Sequence, residues 1–419
     1  MEYIRSKDIF LLMRDILKVI HPRLMDHGSR VAYMVYKMLE DKGGYEEFEL
    51  ADIVMLVTLH DIGAYKTEAG SAINDMLRFE SRDSMAHSIY GYLFFKYLSP
   101  IKDYSRVIMY HHTDYEQLLK IDYEYKDLAA YINIAERMDI YSTAMGSQFD
   151  MMMFHKQAGT RLSKEGLELF YQSAKNHDIF AKIKSGEYKR ELDDIVDYML
   201  FSNEDKKQLL EMLIYCIGFR SESFVVDALK TVCICEEIAD RMLMTEDNKE
   251  RLYYGALIHD IGMITIPREI INAPRKLTQE ERKRVRTHVE ATRRILRGRM
   301  DKSVAEIALA HHERGDGSGY PKKLKDFQMN QQQRILQVAD TIVGLTNERS
   351  YRKPVHKDKV IIILNEEAAK NKMNNHVVRT FIKSYDEIME KVQTKTADIM
   401  KMYQTLNSQY DMVNARFKI

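Results

Sequence analysis

Apolar residues recur every three to four positions along most of this chain, in segments such as 9–20, 31–39 and 225–242. Such spacing gathers them on one face of a helix, whereas the alternation typical of a half-buried strand is nearly absent. Proline and glycine, which interrupt helices, number only 6 and 18 among the 419 residues. The pattern predicts an all-α fold.

Histidines and aspartates then occur in the same order in the two halves, about 200 residues apart. The first series is His27, His60-Asp61, His87 and His111-His112, and the second is Asp227, His259-Asp260, His288 and His311-His312. Each His-Asp pair follows an apolar run and precedes a glycine, in 56–63 and 255–262, so a helix end presents both side chains. Because solenoid repeats are roughly 20 to 50 residues long, a repeat of this length indicates a duplicated domain.

We therefore expect two similar helical domains, 1–205 and 206–384, followed by a C-terminal helix, 385–419. The polar stretch 201–207 marks the first boundary because its side chains can cap a new helix. In the tail, residues seven positions apart are apolar, as in a coiled coil: Val392, Ile399, Leu406 and Val413. Lys395 and Gln409 interrupt the intermediate positions, so packing on the chain itself and pairing in a homodimer both stay open.

Composition excludes several classes of partner. Lys and Arg together number 63, as do Asp and Glu, so no net basic field favours nucleic acid. The N-terminus mixes charged with apolar residues, unlike a signal peptide, and no apolar run reaches the ~18 residues of a membrane span. Cys216, Cys233 and Cys235 lack metal-knuckle spacing and fit a reducing compartment. We expect a cytoplasmic protein that binds neither nucleic acid nor a membrane.

The residue types in each series are those of a two-metal site. Neutral imidazoles around a carboxylate suit iron, manganese, zinc or nickel better than magnesium. In the first half, one ion can be held by His27, His60, Asp61 and a later carboxylate, and the other by Asp61, His87, His111 and His112. Two such ions lower the pKa of a bridging water and clamp the attacking and leaving oxygens of a phosphoryl group. Phosphoester hydrolysis is the predicted reaction.

The later carboxylate of the first half has two candidates. Aligning 132–141 with 335–345 places Glu136 opposite Asp340, whereas Asp139 lies nearly one helical turn further on. Either can reach the same site, and the register favours Glu136.

A single His-Asp pair does not by itself indicate a metal site, since His177-Asp178 lies outside the pattern without companions. The repeated order is what favours metal binding.

These motifs resemble the HD superfamily of metal-dependent phosphohydrolases. The first half is similar to it through HGSRVA, LHDIGAYK, YHHTDYEQ and INIAERMD. The second half resembles the HD-GYP branch throughout 253–354, including LIHDIGMITIP, HHERGDGSGYP and RILQVADTIVGLT. The resemblance implies tandem HD domains, the second with the ligands Asp227, His259, Asp260, His288, His311, His312 and Asp340. Members of that branch hydrolyse cyclic di-GMP at two- or three-metal centres, often of iron or manganese, with zinc, nickel or cobalt as alternatives.

Each half departs from the family pattern in a different way. In the second half Asp227 stands where the family has a histidine, and Met263 where it has a lysine that meets a phosphate oxygen. The first half keeps every metal ligand and has Lys66 two positions beyond the family's lysine, but it has no GYP loop. We therefore expect catalysis in the first half, with Asp61 bridging the ions and Lys66 steadying the phosphate. Arg314 either binds a phosphate or is a solvated loop residue.

The predicted function is hydrolysis of a cyclic dinucleotide, such as cyclic di-GMP, by a metal-bound hydroxide at two divalent ions per active domain. Two alternatives stay open. The first domain could instead act on another nucleotide, such as a nucleoside triphosphate or an alarmone. The chain could also be a non-catalytic receptor or scaffold that binds a nucleotide, or that binds a cyclase partner through Gly319-Tyr320-Pro321.

Overall fold

The computed structural model describes residues 2–67, 84–218, 221–348 and 352–417. It is 75% helical and has no β-strand in the part of the chain that it describes, which confirms the all-α prediction. Residues 349–351, which belong to the segment similar to the HD-GYP branch, lie outside the described residues. Among the helices described, none is both long and apolar enough to cross a bilayer.

The described α-helices follow one another in two runs. Up to residue 218 they are α1 (Ser6–Ile20), α2 (Pro22–Lys42), α3 (Glu47–Thr58), α4 (Ala64–Thr67), α5 (Ser84–Leu98), α6 (Ser105–Tyr110), α7 (Tyr115–Leu118), α8 (Lys126–Met145), α9 (Lys164–Asn176), α10 (Ile179–Ser185), α11 (Tyr188–Ile195) and α12 (Asn203–Gly218). Beyond it they are α13 (Glu222–Arg241), α14 (Glu246–Ile258), α15 (Arg268–Ile271), α16 (Gln279–Arg286), α17 (His288–Leu296), α18 (Lys302–Ala308), α19 (Gln331–Thr346), α20 (Lys357–Ala369), α21 (Asn375–Lys383) and α22 (Tyr385–Phe417).

Two compact units make up the chain, and each contains one series of histidines. The first-half unit comprises Met13–Met212 and Thr405–Ile419, and the second-half unit comprises Met1–Leu12 and Leu213–Gln404. Each unit thus includes a short segment from an end of the chain. In the tail helix α22, Val392 and Ile399 are buried. Pairing of two chains through this helix stays a prediction.

In both units the His-Asp pair directly follows a helix whose C-terminal part is buried on all sides. In the first-half unit, α3 begins at a capping box between Glu46 and Glu49, and residues 53–58 are all buried. In the second-half unit, the side chain of Thr245 caps α14, and residues 252–258 are all buried. A helix that is apolar on every face belongs in a core. His60, Asp61 and His259 are therefore buried, while Asp260 is partly exposed.

A glycine after each His-Asp pair lets the chain turn directly against the next ligand-bearing helix. A Cβ atom at Gly63 would lie 2.0 Å from the carbonyl oxygen of His87, and one at Gly262 would lie 2.1 Å from the carbonyl oxygen of His288. Both distances are far below van der Waals contact. In the second-half unit, the Gly262 N–H also donates a hydrogen bond to Thr292 Oγ1 at 3.0 Å. This close approach holds each His-Asp pair against its neighbouring helix.

We expect Gly262→Ala to destabilise the protein, because the added methyl group would overlap backbone atoms. The expected loss is about 1–3 kcal/mol, as for other overpacked cores. Gly344→Ala is the matched control, since a Cβ atom there meets nothing within 4 Å and alanine favours a helix interior by roughly 0.5–1 kcal/mol. Thermal unfolding followed by circular dichroism measures both variants. A Gly262→Ala protein that unfolds at the same temperature as the parent protein would contradict this packing.

Candidate metal centre

The first-half unit brings the predicted ligands together from separate helices. They are His27 on α2, His60 and Asp61 after α3, His87 on α5, His111 and His112 after α6, and Glu136 on α8. His112 has the most exposed side chain of the set, at 9%, and the others are almost completely buried. The ends of α3 and α6 contribute the partial negative charge of their free carbonyl groups, which favours a cation nearby.

The ligand atoms form two groups that share one aspartate. One group contains His27, His60, Asp61 and Glu136, the other contains Asp61, His87, His111 and His112, and within each group the atoms lie within 4.8 Å of one another. The two oxygens of Asp61 face different groups: Oδ2 lies 3.5 Å from His60 Nε2, and Oδ1 lies 3.2 Å from His87 Nε2. Asp61 therefore has the position of a ligand that bridges two cations.

Several of these buried atoms have no hydrogen-bond partner. They are Nε2 of His27, His60 and His111, both carboxylate oxygens of Asp61, and Oε1 of Glu136. Burying one unsatisfied polar atom costs about 1–3 kcal/mol, so a cluster of them requires another group that binds them. Carboxylate oxygens and unprotonated imidazole nitrogens all donate electron pairs, so the group that satisfies them together is a cation. The residues present therefore fit divalent metal ions.

Hydrogen bonds at the opposite ring nitrogen hold the imidazoles in this orientation. His60 Nδ1 donates to the carbonyl oxygen of the residue three positions earlier at 2.7 Å, and His111 Nδ1 makes the equivalent bond. His27 Nδ1 instead pairs with Asp139 Oδ2 at 2.7 Å. Because Nδ1 serves as the donor, Nε2 is the nitrogen that is left to bind a metal.

The two candidates for the late carboxylate occupy different places. Glu136 belongs to the first ligand group, with Oε1 3.9 Å from His27 Nε2. Asp139 lies behind His27 and also accepts hydrogen bonds from Arg30, from Nε at 2.6 Å and from Nη2 at 2.8 Å. A carboxylate behind a metal-binding histidine fixes the ring and raises its basicity. Sequence reasoning missed Arg30, although it follows His27 by three residues and so shares its helix face.

Burial and neighbouring charges set the protonation of this cluster. Burial lowers the pKa of His111 to about 4 and holds the pKa of His112 well below its usual value, so both are neutral ligands at pH 7. Burial would raise the pKa of Glu136, but the surrounding histidines hold that pKa well below its ordinary value. Burial would also lower the pKa of His27, but hydrogen bonds to Asp139 and Glu136 raise it to about 10. A cation that binds His27 must therefore displace a proton.

The second-half unit repeats much of this arrangement. His259, His288 and His311 each donate from Nδ1 to the carbonyl oxygen three residues earlier, at 2.6 to 2.7 Å. Asp260 Oδ1 lies 3.1 Å from His288 Nε2 and 3.5 Å from His311 Nε2. Ligand atoms of His288, His311 and His312 lie within 4.8 Å of one another. These residues have the donor types and orientation of a metal site.

The second-half cluster is more open, and one predicted ligand lies apart from it. Asp340 Oδ2 is 3.5 Å from His312 Nδ1, but the side chains of Asp260 and Asp340 are 28% and 24% exposed. His259 Nε2 lies 3.5 Å from Asp260 Oδ2 and 4.0 Å from Asp340 Oδ1, whereas Asp227 Oδ1 accepts a hydrogen bond from Asn347. The structure thus brings together every predicted ligand of the first series, with Asp139 one layer behind, but leaves Asp227 outside the second.

The two predicted phosphate-binding side chains have different surroundings. Lys66 lies on α4, is half-buried, and adjoins residues 68–83, which are outside the described residues. Arg314 follows the second histidine pair, and its Nη1 donates to Thr341 Oγ1 at 3.4 Å. Burial raises the pKa of Asp340, and the positive charge of Arg314 is among the groups that oppose this rise. Arg314 is therefore close enough to act on the second cluster.

The glycine-rich loop after the second histidine pair folds back over that pair. The buried carboxylate of Glu313 accepts hydrogen bonds from the backbone N–H groups of Lys322 at 2.6 Å and Leu324 at 2.8 Å. The Tyr320 N–H donates to the carbonyl oxygen of His312 at 3.1 Å, and the two rings lie 4.8 Å apart. Sequence reasoning missed Glu313, because only the fold shows which backbone groups meet its carboxylate. Glu313 holds the loop in place beside the cluster.

Comparison with known proteins places both clusters in one family. Family profiles described as HD domain match residues 24–144 and 211–377. A Vibrio cholerae relative, 3'3'-cGAMP-specific phosphodiesterase 1, is 23% identical over 86% of this chain and 87% of its own. A Thermotoga maritima cyclic di-GMP phosphodiesterase is 35% identical over 36% of this chain and 42% of its own. The crystal structure of the V. cholerae cyclic GMP-AMP specific phosphodiesterase V-cGAP3 covers 92% of this chain and 98% of its own, with a TM-score of 0.57 and 15% identity.

The two matched regions contain both histidine series, from His27 to Asp139 and from Asp227 to Asp340. The chain therefore belongs to the HD-domain family. It carries two HD domains in tandem and is a metal-dependent phosphohydrolase, as the sequence resemblance predicts.

We expect Asp139→Asn to weaken metal binding at the first-half cluster by about 10–100-fold, the usual effect of losing the carboxylate behind a metal-binding histidine. The amide would leave both His27 and Arg30 without their charged partner. Calorimetric titration of metal-depleted protein with Mn²⁺ measures the change. Asp122→Asn, at an exposed position, is the control. Equal affinity in the Asp139→Asn and parent proteins would show that this carboxylate does not orient His27.

Proposed function

We propose that this protein is a phosphodiesterase that hydrolyses a cyclic dinucleotide, and that the first-half unit performs the reaction. The observation that carries the proposal is the position of Asp61, whose two oxygens face two complete ligand groups. Phosphodiester hydrolysis has one attacking and one leaving oxygen, and paired cations stabilise the charge on both. The second-half unit has a single ligand group among its described residues.

The substrate class is inferred from the relatives. The relative that is similar over most of its length is named for 3'3'-cGAMP, and shorter matches are named for cyclic di-GMP. Both compounds are rings of two nucleotides joined by phosphodiester bonds, so one type of reaction opens either. We propose a cyclic di-GMP-like substrate, with cyclic GMP-AMP as the other member of the same class.

The ligand groups assign roles to the residues of the first-half unit. His27, His60, Asp61 and Glu136 would hold one cation, and Asp61, His87, His111 and His112 the other. When bound, such cations polarise the phosphoryl group and acidify a water molecule. Iron or manganese suits this mixed set of imidazoles and carboxylates, and zinc, nickel or cobalt is also compatible with it.

Neighbouring side chains and backbone carbonyl groups orient these ligands, and others lie where the substrate would approach. Arg30 and Asp139 hold the ring of His27 from behind, and helix-end carbonyl groups hold His60 and His111. His112 is the most exposed ligand, so we place the approach of the phosphate on its side of the cluster. Lys66 would then donate a charge-assisted hydrogen bond to a phosphate oxygen.

Two other functions remain candidates. The first-half unit could hydrolyse a nucleoside triphosphate or an alarmone, since its ligand groups do not select a base. The open second-half cluster, which Asp227 does not join, is compatible with a receptor that binds a nucleotide without hydrolysing it. A cytoplasmic location and a cyclase partner that docks on Gly319-Tyr320-Pro321 also stay predictions.

A substrate panel tests the proposed reaction. Manganese-loaded protein is expected to convert cyclic di-GMP or cyclic GMP-AMP to a linear dinucleotide or mononucleotides, while nucleoside triphosphates and alarmones stay intact. Separation of products by reversed-phase chromatography measures each reaction. Hydrolysis of mononucleotides alone would contradict the phosphodiesterase proposal, and tight binding of a cyclic dinucleotide without product would favour a receptor.

The active half is identified by paired substitutions at the bridging aspartates. Asp61→Ala is expected to lower kcat by at least ~10²-fold, because the metal centre loses its shared ligand. Asp260→Ala, the same change in the second-half unit, is the matched control and is expected to keep most of the activity. Steady-state kinetics on the cyclic dinucleotide compares them. The opposite ranking would assign catalysis to the second-half unit.

A further inference from the structure

The two units differ most at the position of their first predicted ligand. In the first-half unit, His27 is followed three residues later by Arg30, and both contact the carboxylate of Asp139. In the second-half unit, Asp227 and Lys230 occupy the corresponding positions on α13. An imidazole and a guanidinium are thus replaced by a carboxylate and an ammonium group.

Asp227 and Lys230 meet at one side chain, that of Asn347. Asn347 Nδ2 donates a hydrogen bond to Asp227 Oδ1, and Lys230 Nζ donates to Asn347 Oδ1 at 2.6 Å. Asn347 is itself buried at the end of α19, where its N–H donates to the carbonyl oxygen of Val343 at 3.0 Å. We call Asp227, Lys230 and Asn347 the Asp227 clasp. Through it, Asp227 makes a structural contact between α13 and the end of α19.

The two units also differ in how many ligand groups they form. The first-half unit has a group on each side of Asp61, and His27 belongs to one of them. The second-half unit, over its described residues, offers one group, formed by His288, His311 and His312. Asp260 Oδ1, a buried oxygen without a hydrogen-bond partner, faces this group. This unsatisfied oxygen thus lies where a cation held by the three histidines would bind.

We propose that the second-half unit holds one divalent cation, on His288, His311, His312 and Asp260, because the Asp227 clasp leaves only His259, Asp340 and the shared Asp260 for a second. The residues of this unit therefore do not fit the two-metal centre that their HD domain implies. One cation still attracts a phosphate group but cannot clamp the attacking and leaving oxygens as a pair does. This inference depends on the metal chemistry of the chain and not on which nucleotide it hydrolyses.

Counting metal ions in the full-length protein tests the proposal. After anaerobic loading with Mn²⁺ and removal of free metal, inductively coupled plasma mass spectrometry is expected to find about three ions per chain, two in the first-half unit and one in the second. Asp61→Ala should leave about one ion, since it removes the shared ligand of the first-half unit. About four ions in the parent protein, or about two in Asp61→Ala, would overturn the proposal.

A second variant covers the case in which Asp61→Ala disturbs folding. His288→Ala alters only the second-half unit, and it is expected to lower the parent count by about one ion. A fall of about two ions would mean that His288 belongs to a paired centre. Circular dichroism of each variant shows whether its helical content matches that of the parent protein.

Rebuilding the missing ligand gives the complementary test. In the Asp61→Ala protein, Asp227→His combined with Asn347→Asp recreates the imidazole and carboxylate found at His27 and Asp139 in the first-half unit. The expected count rises from about one to about two ions per chain. Asn347→Asp alone is the matched control and is expected to stay at about one ion, because it supplies no imidazole. A folded double variant that still binds about one ion would show that the clasp does not limit the count.

Discussion

One buried carboxylate is common to both ligand groups of the first-half unit. Asp61 lies between two sets of imidazoles and turns one oxygen toward each. Such an arrangement is unfavourable in a metal-free chain, because polar atoms are taken out of water without gaining a partner. The apolar helix α3 ends next to His60 and Asp61, and its packing in the core offsets the free-energy cost of burying these polar atoms. We therefore expect metal binding to be coupled to folding and to stabilise the chain.

The fold and most of the ligand set follow from local patterns, which explains why the sequence predicts them. Helical spacing of apolar residues depends only on neighbours along the chain, and the order of histidines recurs in both halves. The choice between Glu136 and Asp139 is different, since both lie on one face of α8. Only the packing of α2 against α8 shows that Asp139 meets Arg30 and turns away from the cluster.

Asp227 shows a second limit of sequence reasoning. A carboxylate in place of a histidine is still a good metal ligand, so residue type alone leaves its role open. In the fold it meets Asn347, which lies 120 residues further along the chain and is no part of the metal motif. Contacts of this kind depend on tertiary structure. The same holds for Glu313, whose carboxylate binds backbone groups of a loop.

Hydrogen bonds from the histidine rings to backbone carbonyl groups affect how such domains can diverge after duplication. Nδ1 donates to the backbone carbonyl group three residues earlier in each of His60, His111, His259, His288 and His311. A ring held in this way keeps its direction when distant residues mutate. One copy can therefore lose a single ligand while its remaining rings stay aligned, so the ion content of tandem domains can change stepwise without a new fold.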